Sequence, residues 1–406
     1  MRVLQVCNKP PYPPRDGGSL AMFNLAYSLK KLGHQVSVLT MFTRKHKLTS
    51  GQSLEFSQIM EVHSVYVDTT PGLFRMIINL VFSDKPYHVE RFYSKAFETE
   101  LCRILKTSRF DVIQLEGLYL TSYIPAIRKN SDALVALRAH NVEHEIWERM
   151  EQSEKSVFRK AYFRILAKRI KRYEQQVLNQ YDILVPITAR DLDRFRIMGN
   201  SKPAHVCKAG VDLDTGTGNG EMLDEQLPST TSSLFFIGSL DWIPNQEGLL
   251  WFVSKVFPLI HHRFPAVKFH IAGRNAPQSL QKSLNFPGIV FHGEVADARV
   301  FMAKHQVSIA PCFSGSGMRV KIIESMALGK PVVTTTMGAE GLNAVHNENI
   351  IIADDSADFF HHVERLIEFP QLCRSMGNSA KDFAAQNFDN KILAANLAGF
   401  YEKYLK

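Results

Sequence analysis

The stretch FSGSGMRVKIIESMALGKPVV, residues 313–333, decides how this chain is read. Gly315 and Gly317, set among serines, leave the backbone bare enough for a ligand to approach closely. From about Met318 the apolar spacing predicts a helix, and PVV predicts a strand after it. The preceding VSIAPC is also strand-like. Strand, glycine-rich turn, helix and strand make up the unit of a parallel α/β sheet. The free N–H groups of a helix start attract anions. Arg319 and Lys321 add fixed positive charge suited to a diphosphate. Glu324, about two turns in, suits ribose hydroxyls. The plainer reading is a turn with a charged solvent face, and spacing alone leaves both open. No GxxxxGK[ST] occurs and no GxGxxG follows the first strand, so neither a P-loop nor a dinucleotide fingerprint is present.

Outward from this block the same alternation fills the chain. SLFFIGSLD, VKFHIAG, IVFHGEV, VSIAPC, PVVTTT and NIIIAD predict strands of the second half, with a helix at NQEGLLWFVSKVFPLIHHRF. In the first half RVLQVCN, HQVSVLT, DVIQLEG, ALVALRAHN and DILVPIT predict strands, and SLAMFNLAYSLKKLG a helix stopped by Gly33. AHVCKAGVD reads as the last strand of that half, and the polar segment 212–233 as a linker or surface loop. The expected fold is α/β: two Rossmann-like, doubly wound domains over 1–205 and 206–385, facing across a cleft. An amphipathic helix over 386–406 crosses back to the first. Ligands of such sheets bind at the carboxyl ends of the strands.

The 406 residues hold 45% hydrophobic and 22% charged side chains, an ordinary globular composition. Residues 1–205 carry 31 Lys and Arg against 20 Asp and Glu, whereas 206–406 carry 17 against 20. That asymmetry suggests an anionic surface or ligand for the first half. No apolar run of about 18 residues predicts a membrane span. The five cysteines stand singly, with no CxxC pair, so no disulfide framework or zinc knuckle is suggested. A cytoplasmic location fits.

Beyond periodicity, FIGSLDWIPN, FHIAGRN, IVFHGEVAD, SIAPCFSGSGMRVKIIESMALGKPVV and TMGAEGL resemble, in order and spacing, the family-four retaining glycosyltransferases of GT-B fold. PYPPRDGGS, LRAHNVEHE and KAGVDLD extend the resemblance over nearly the whole chain, and GxRxKxxE is similar to the exopolysaccharide and lipid-linked glycan branch. Ser316 stands where the family has the first Glu of its paired-Glu motif, with Glu324 in the second place. Asp241, Trp242, Pro244 and Asn245 stand where it has a diphosphate-clamping Arg and Lys, so Arg319 and Lys321 are the expected substitutes. The resemblance implies a metal-independent hexosyltransferase without cofactor. It would use a UDP- or GDP-sugar and a glycan or lipid-linked acceptor in cell-surface polysaccharide synthesis. Alternatives are a noncatalytic nucleotide-sugar-binding protein and a GT-B epimerase or hydrolase. The implied donor contacts are Gly17, Gly18, Ser239, Arg274, Glu294, Val295, Ser316, Gly317, Met318, Arg319, Val320, Lys321 and Glu324. His140, Arg319, Lys321 and Glu324 are the implied catalytic set, with Glu116, Asn141 and Glu143 toward the acceptor.

Residues 155–172, KSVFRKAYFRILAKRIKR, hold eight cations and no acid. Phe158, Tyr162, Ile165 and Leu166 recur at helical spacing, which makes a basic amphipathic helix. It reads either as a peripheral contact with an anionic inner-membrane surface or as a core helix with a solvated face. The DLD triplets at 191–193 and 212–214 read as structural, with no metal expected. No nucleic-acid module is recognisable.

Overall fold

The computed structural model describes residues 1–14, 16–213, 233–315 and 318–405. Ser316, Gly317 and most of the expected linker at 212–233 lie outside the described residues. The chain divides into two compact units, Met1–Ala209 with Asn390–Lys406, and Gly210–Asp389.

The first unit is built on strands β1 Arg2–Cys7, β2 Gln35–Phe42, β3 Glu61–Tyr66, β4 Val112–Glu116, β5 Leu134–Ala139 and β6 Ile183–Pro186. They pair in parallel in the order β3-β2-β1-β4-β5-β6. β4 and β5 are buried along their whole length, which is why they read as continuous apolar runs rather than alternations. Leu4, Val6, Ile113 and Leu115 pack on one face with Phe97, Leu101, Ile104 and Ile127 of the helices Lys95–Thr107 and Ile124–Asn130. Val3, Cys7, Val38 and Ala136 pack on the other with Met22, Leu25 and Leu29 of the helix Gly17–Lys31. Ala394, Leu397, Ala398 and Tyr401 of the C-terminal helix Asn390–Glu402 join that second face. The buried Tyr401 Oη donates to Gln114 Oε1 at 2.8 Å, fixing the helix to the sheet.

The second unit repeats the plan with β7 Ser233–Ile237, β8 Lys268–Ala272, β9 Ile289–Gly293, β10 Val307–Ala310, β11 Val332–Thr334 and β12 Ile351–Ile352. Its order is β12-β11-β10-β7-β8-β9, all parallel. In both sheets the order reverses beside the first strand, between β1 and β4 and between β7 and β10. A crevice opens at the carboxyl end of such a switch point. A Cβ on Gly273 would lie 2.1 Å from the Gly238 carbonyl, so the exits of β7 and β8 approach closely only because residue 273 is glycine.

Three local expectations are corrected. AHVCKAGVD is not a strand of the sheet. It runs beside β6 through a few bonds such as His205 N–H to Leu184 C=O at 3.0 Å, because Pro186 of β6 has no N–H to carry the ladder past His205. The helix over residues 243–263 is interrupted by a π-turn at Phe252–Val256, next to Pro258, whose missing N–H shifts the bonding. The helix after the 313–319 loop starts at Val320, with Arg319 at its N-cap.

Candidate active site

In the second unit the switch point falls at the sequence block that opened the reading. β7 leads through Gly238 into Ser239, and β10 leads through Cys312 into the loop that ends at Arg319. Gly315 sits at φ +98, the left-handed region, so the loop turns without strain. The Arg319 guanidinium donates to the Ser314 carbonyl at 3.1 Å and lies within the reach of a Cβ on Gly315, at 3.3 Å. Arg319 is thereby folded against its own loop.

Lys321, in the first turn of the helix Val320–Ala327, is half-buried. Its Nζ donates to Asn245 Oδ1 at 3.0 Å and stands 4.3 Å from the centre of the Phe236 ring. Burial, with Arg319 adding to it, holds the ammonium down at about 8, against a smaller opposing pull from Cys312. Asn245 Nδ2 in turn donates to the Ser239 carbonyl at 2.8 Å. Asn245 therefore joins the β7 exit to the cation and belongs to the site. Sequence reading named it only as a departure from the family pattern.

Ser239 Oγ donates to Asp241 Oδ1 at 2.7 Å and receives Arg274 Nε at 3.2 Å. Arg274 and Ser239 are thus joined, on the same rim as Lys321. Glu324 is half-buried, and its carboxyl is pushed up to about 7 by burial, with Asp297 reinforcing and Arg299 opposing. Near neutral pH it both donates and accepts. Met318 is half-buried and Val320 buried, so Val320 offers backbone only. Val295 packs its side chain against the cluster of Phe235, Ala272, Phe301 and Met302, while Glu294 is exposed.

In the first unit the switch point brings together the ends of β1, β4 and β5. Gly17 and Gly18 form the first helical turn rather than a loop before it. Asp16 is the N-cap, accepting the Ser19 N–H at 2.8 Å, and Lys9 Nζ lies 2.7 Å from Asp16 Oδ1. Burial raises the Asp16 carboxyl, but the Lys9 charge and the Ser19 bonds outweigh it and hold it at about 2.

His140 follows β5 and keeps partial exposure. Its Nε2 lies 2.6 Å from Glu116 Oε2. Glu116 is 1% exposed, and its Oε1 accepts from Gln5 at 2.6 Å and Gln114 at 2.5 Å. Arg138, equally buried, approaches Glu116 Oε2 at 3.5 Å and donates to the Ala21 carbonyl at 3.0 Å. Burial alone would raise the Glu116 carboxyl, but Arg138, His140 and Gln5 together hold it down at about 2. A carboxylate so enclosed cannot reach an acceptor. Glu116 instead orients His140 and leaves its Nδ1 edge for contact.

Glu143 is also enclosed. It accepts from Tyr119 Oη at 2.7 Å, and burial, with Glu174 adding to it, pushes its carboxyl up to about 7 against the Tyr119 bond. Glu174, which the sequence reading missed, accepts the backbone N–H groups of Glu143 at 2.9 Å and His144 at 3.1 Å. It caps the helix Glu143–Ser153 from the helix Val157–Val177. No local sequence signal marks a cap supplied from 31 residues away. Asn141 lies between His140 and this cap, half-buried.

A two-sheet α/β chain with cations at one switch point and a carboxylate–histidine pair at the other has the architecture of a GT-B glycosyltransferase. Comparison with known proteins agrees. Residues 15–215 match the model of Glycosyltransferase Family 4, and residues 231–368 match that of Glycosyl transferases group 1. The chain is a glycosyltransferase of this family-four type. A 44.6 kDa protein in the cps region of Klebsiella pneumoniae is 24% identical over 96% of this chain and 97% of its own. Among solved structures, Anabaena Alr3699/HepE in complex with UDP and glucose is 15% identical, with a TM-score of 0.68 over 99% of this chain and all of its own. WaaG, a glycosyltransferase involved in lipopolysaccharide biosynthesis, is 13% identical, with a TM-score of 0.66 over 98% of this chain and 99% of its own. Among the described residues no helix is long and apolar enough to cross a membrane.

Proposed function

We propose that this chain is a retaining, metal-independent hexosyltransferase of cell-surface polysaccharide synthesis. It moves a sugar from a UDP- or GDP-sugar to a glycan or lipid-linked acceptor, with peripheral contact to the membrane through 155–172. The cps-region relative supports the pathway, and the UDP complex of HepE supports the donor class. One observation carries the reading: Lys321, its charge held in a half-buried setting between Asn245 and Phe236, stands beside Arg319 at the carboxyl ends of β7 and β10.

As the bond between the sugar's anomeric carbon and the diphosphate oxygen breaks, negative charge grows on the leaving phosphate. Lys321, with Arg319 turning from the Ser314 carbonyl to the phosphate, stabilises it, and preorganised charge of this kind supplies the largest share of catalysis in many enzymes. Glu324 accepts from the ribose hydroxyls. His140, held by Glu116, presents Nδ1 to a donor or acceptor hydroxyl. In a retaining transfer the acceptor attacks from the face the diphosphate leaves, and its proton passes to the departing phosphate oxygen.

Calorimetry with UDP-, GDP-, ADP- and dTDP-glucose tests the donor, and incubation of the best binder with membrane lipid extract, with and without EDTA, tests transfer. Binding followed by EDTA-insensitive label transfer with anomeric configuration kept is the expected result. Donor binding without transfer to any extract favours a noncatalytic protein, and turnover to free sugar without acceptor favours a hydrolase.

A further inference from the structure

The helix Leu73–Phe82, LFRMIINLVF, leaves Phe74 76%, Val81 66% and Phe82 83% exposed. Soluble surfaces rarely gather such side chains. Arg169 of the helix Val157–Val177 donates to the carbonyls of Asn79 at 3.1 Å, Leu80 at 2.7 Å and Ser83 at 3.0 Å, clamping the end of the apolar helix. Phe158, Ile165 and Arg169 recur at i, i+7 and i+11, one stripe of that longer helix. On it Phe158 is 88% and Ile165 43% exposed. The clamp therefore ties the end of the apolar helix to the stripe that carries Phe158 and Ile165. Exposed cations flank them, including Arg75, Lys155, Arg159, Lys168 and Arg172. The nearby acids Glu151 and Glu154 pair with Arg164 at 2.7 Å and Arg159 at 3.2 Å.

We propose that these two helices form one membrane-docking surface, in which Phe74, Val81, Phe82 and Phe158 insert among acyl chains of an anionic bilayer and the lysines and arginines meet its headgroups. Charge complementarity selects the occupant. A second copy of the chain would bring the same cations face to face, whereas an anionic lipid surface satisfies both the apolar side chains and the cations. The inference rests on and deepens the reading of a lipid-linked acceptor by extending the insertion to residues 73–82, beyond the basic segment that holds Phe158.

The test is co-sedimentation of the full chain with vesicles of phosphatidylcholine alone and with added phosphatidylglycerol, without donor. Failure here is therefore distinct from failure of transfer. Binding to the anionic vesicles only, lowered at least tenfold in F82S/F158S and again in K168E/R172E, supports the surface, provided donor binding is unchanged in both variants. Equal binding by wild type and variants, or none to anionic vesicles, overturns it. So does a lipid-free dimer in sedimentation velocity that F82S/F158S dissolves.

A separate cluster carries a second inference. His270 on β8, His292 on β9 and His305 beyond the helix Ala298–Ala303 place one ring nitrogen each within 4.8 Å of one another. His270 Nδ1 and His292 Nε2 are 3.0 Å apart, and the His270 and His305 rings stack at 4.1 Å. The geometry points to a site for a borderline divalent cation such as zinc, bound by three imidazoles, none of them a residue of the candidate active site. Neutral nitrogen ligands without a carboxylate disfavour magnesium and calcium. Lys268, Lys304 and Lys330 lie near enough to act on these rings, so affinity is modest and an anion is the natural fourth ligand. Calorimetric titration of the full chain with zinc chloride tests it, using H292A because His292 is the exposed member. One zinc per chain, weakened at least tenfold in H292A, supports the site. No binding, or equal binding by the variant, overturns it.

Discussion

Replacing Lys321 with methionine should stabilise the unliganded protein while weakening donor binding. Lys321 is held at about 8 against an ordinary 10.5. At about 1.36 kcal/mol per unit, keeping the charge there costs about 3 kcal/mol at neutral pH. Methionine removes that cost but gives up the Asn245 bond and the cation's contact with Phe236, together about 1 to 2 kcal/mol. The net gain is about 1 to 2 kcal/mol, a rise of roughly 2 to 8 °C in the melting of a unit this size. The pH dependence fixes the sign. Below about 8 the ammonium is charged in folded and unfolded chains and its burial cost is fully present. Between about 8 and 10.5 the unfolded chain holds the extra proton, so wild-type stability rises with pH across that window. K321M lacks the rise, so wild type, gaining about 3 kcal/mol across the window, overtakes it. In the same variant the lost charge-assisted bond to phosphate, about 1.5 to 3 kcal/mol, should raise the donor Kd about 10- to 150-fold. Differential scanning fluorimetry from pH 7 to 10.5 and calorimetry with the donor read both effects. A variant that melts lower than wild type and binds donor equally well would refute the reasoning.

Glu324→Gln should flatten a different limb. The wild-type carboxyl, raised to about 7 from an ordinary 4.5, loses stability as pH climbs through that window, and glutamine does not, as a melting-temperature profile from pH 4 to 8 will show. Glu116→Gln leaves Arg138 buried without its carboxylate, which should cost about 3 to 5 kcal/mol in denaturant unfolding. Wild type itself should lose the Glu116 contribution as pH falls from 4.5 toward about 2. Tyr401→Phe removes one buried donor and should cost about 1 kcal/mol in the same assay.

Much of the architecture was legible because parallel strands covered on both faces read as unbroken apolar runs. β1, β4, β5, β7 and β10 are all of that kind. β3, whose burial alternates irregularly at the sheet edge, carries no such run, and the segment around it went unread. The same holds for the helix Leu73–Phe82, whose apolar residues look like core in one dimension and lie on the surface in three. At the site, Arg319, Lys321 and Glu324 stood out because a glycine-rich turn and a helix start concentrate the signal in a dozen residues. Glu116 was legible by position only. Its role depends on Arg138, Gln5 and Gln114, whose side chains meet it from three different strands, and no linear spacing records that.

The contacts around Glu116 join parts of the first unit that the sequence keeps far apart. Tyr401 Oη donates to Gln114 Oε1 at 2.8 Å, Gln114 Nε2 donates to Glu116 Oε1 at 2.5 Å, and Glu116 Oε2 lies 2.6 Å from His140 Nε2. With the phenol at its oxygen, the Gln114 amide is fixed with its nitrogen toward the carboxylate. The carboxylate, held from one side by Gln5 and Gln114 and from another by Arg138, has one oxygen left for imidazole. The C-terminal helix thus does more than complete the apolar face beneath β1 and β4. Through Gln114 it helps hold the Glu116 carboxylate that meets His140 Nε2, so a residue near the end of the chain supports a contact between the ends of β4 and β5.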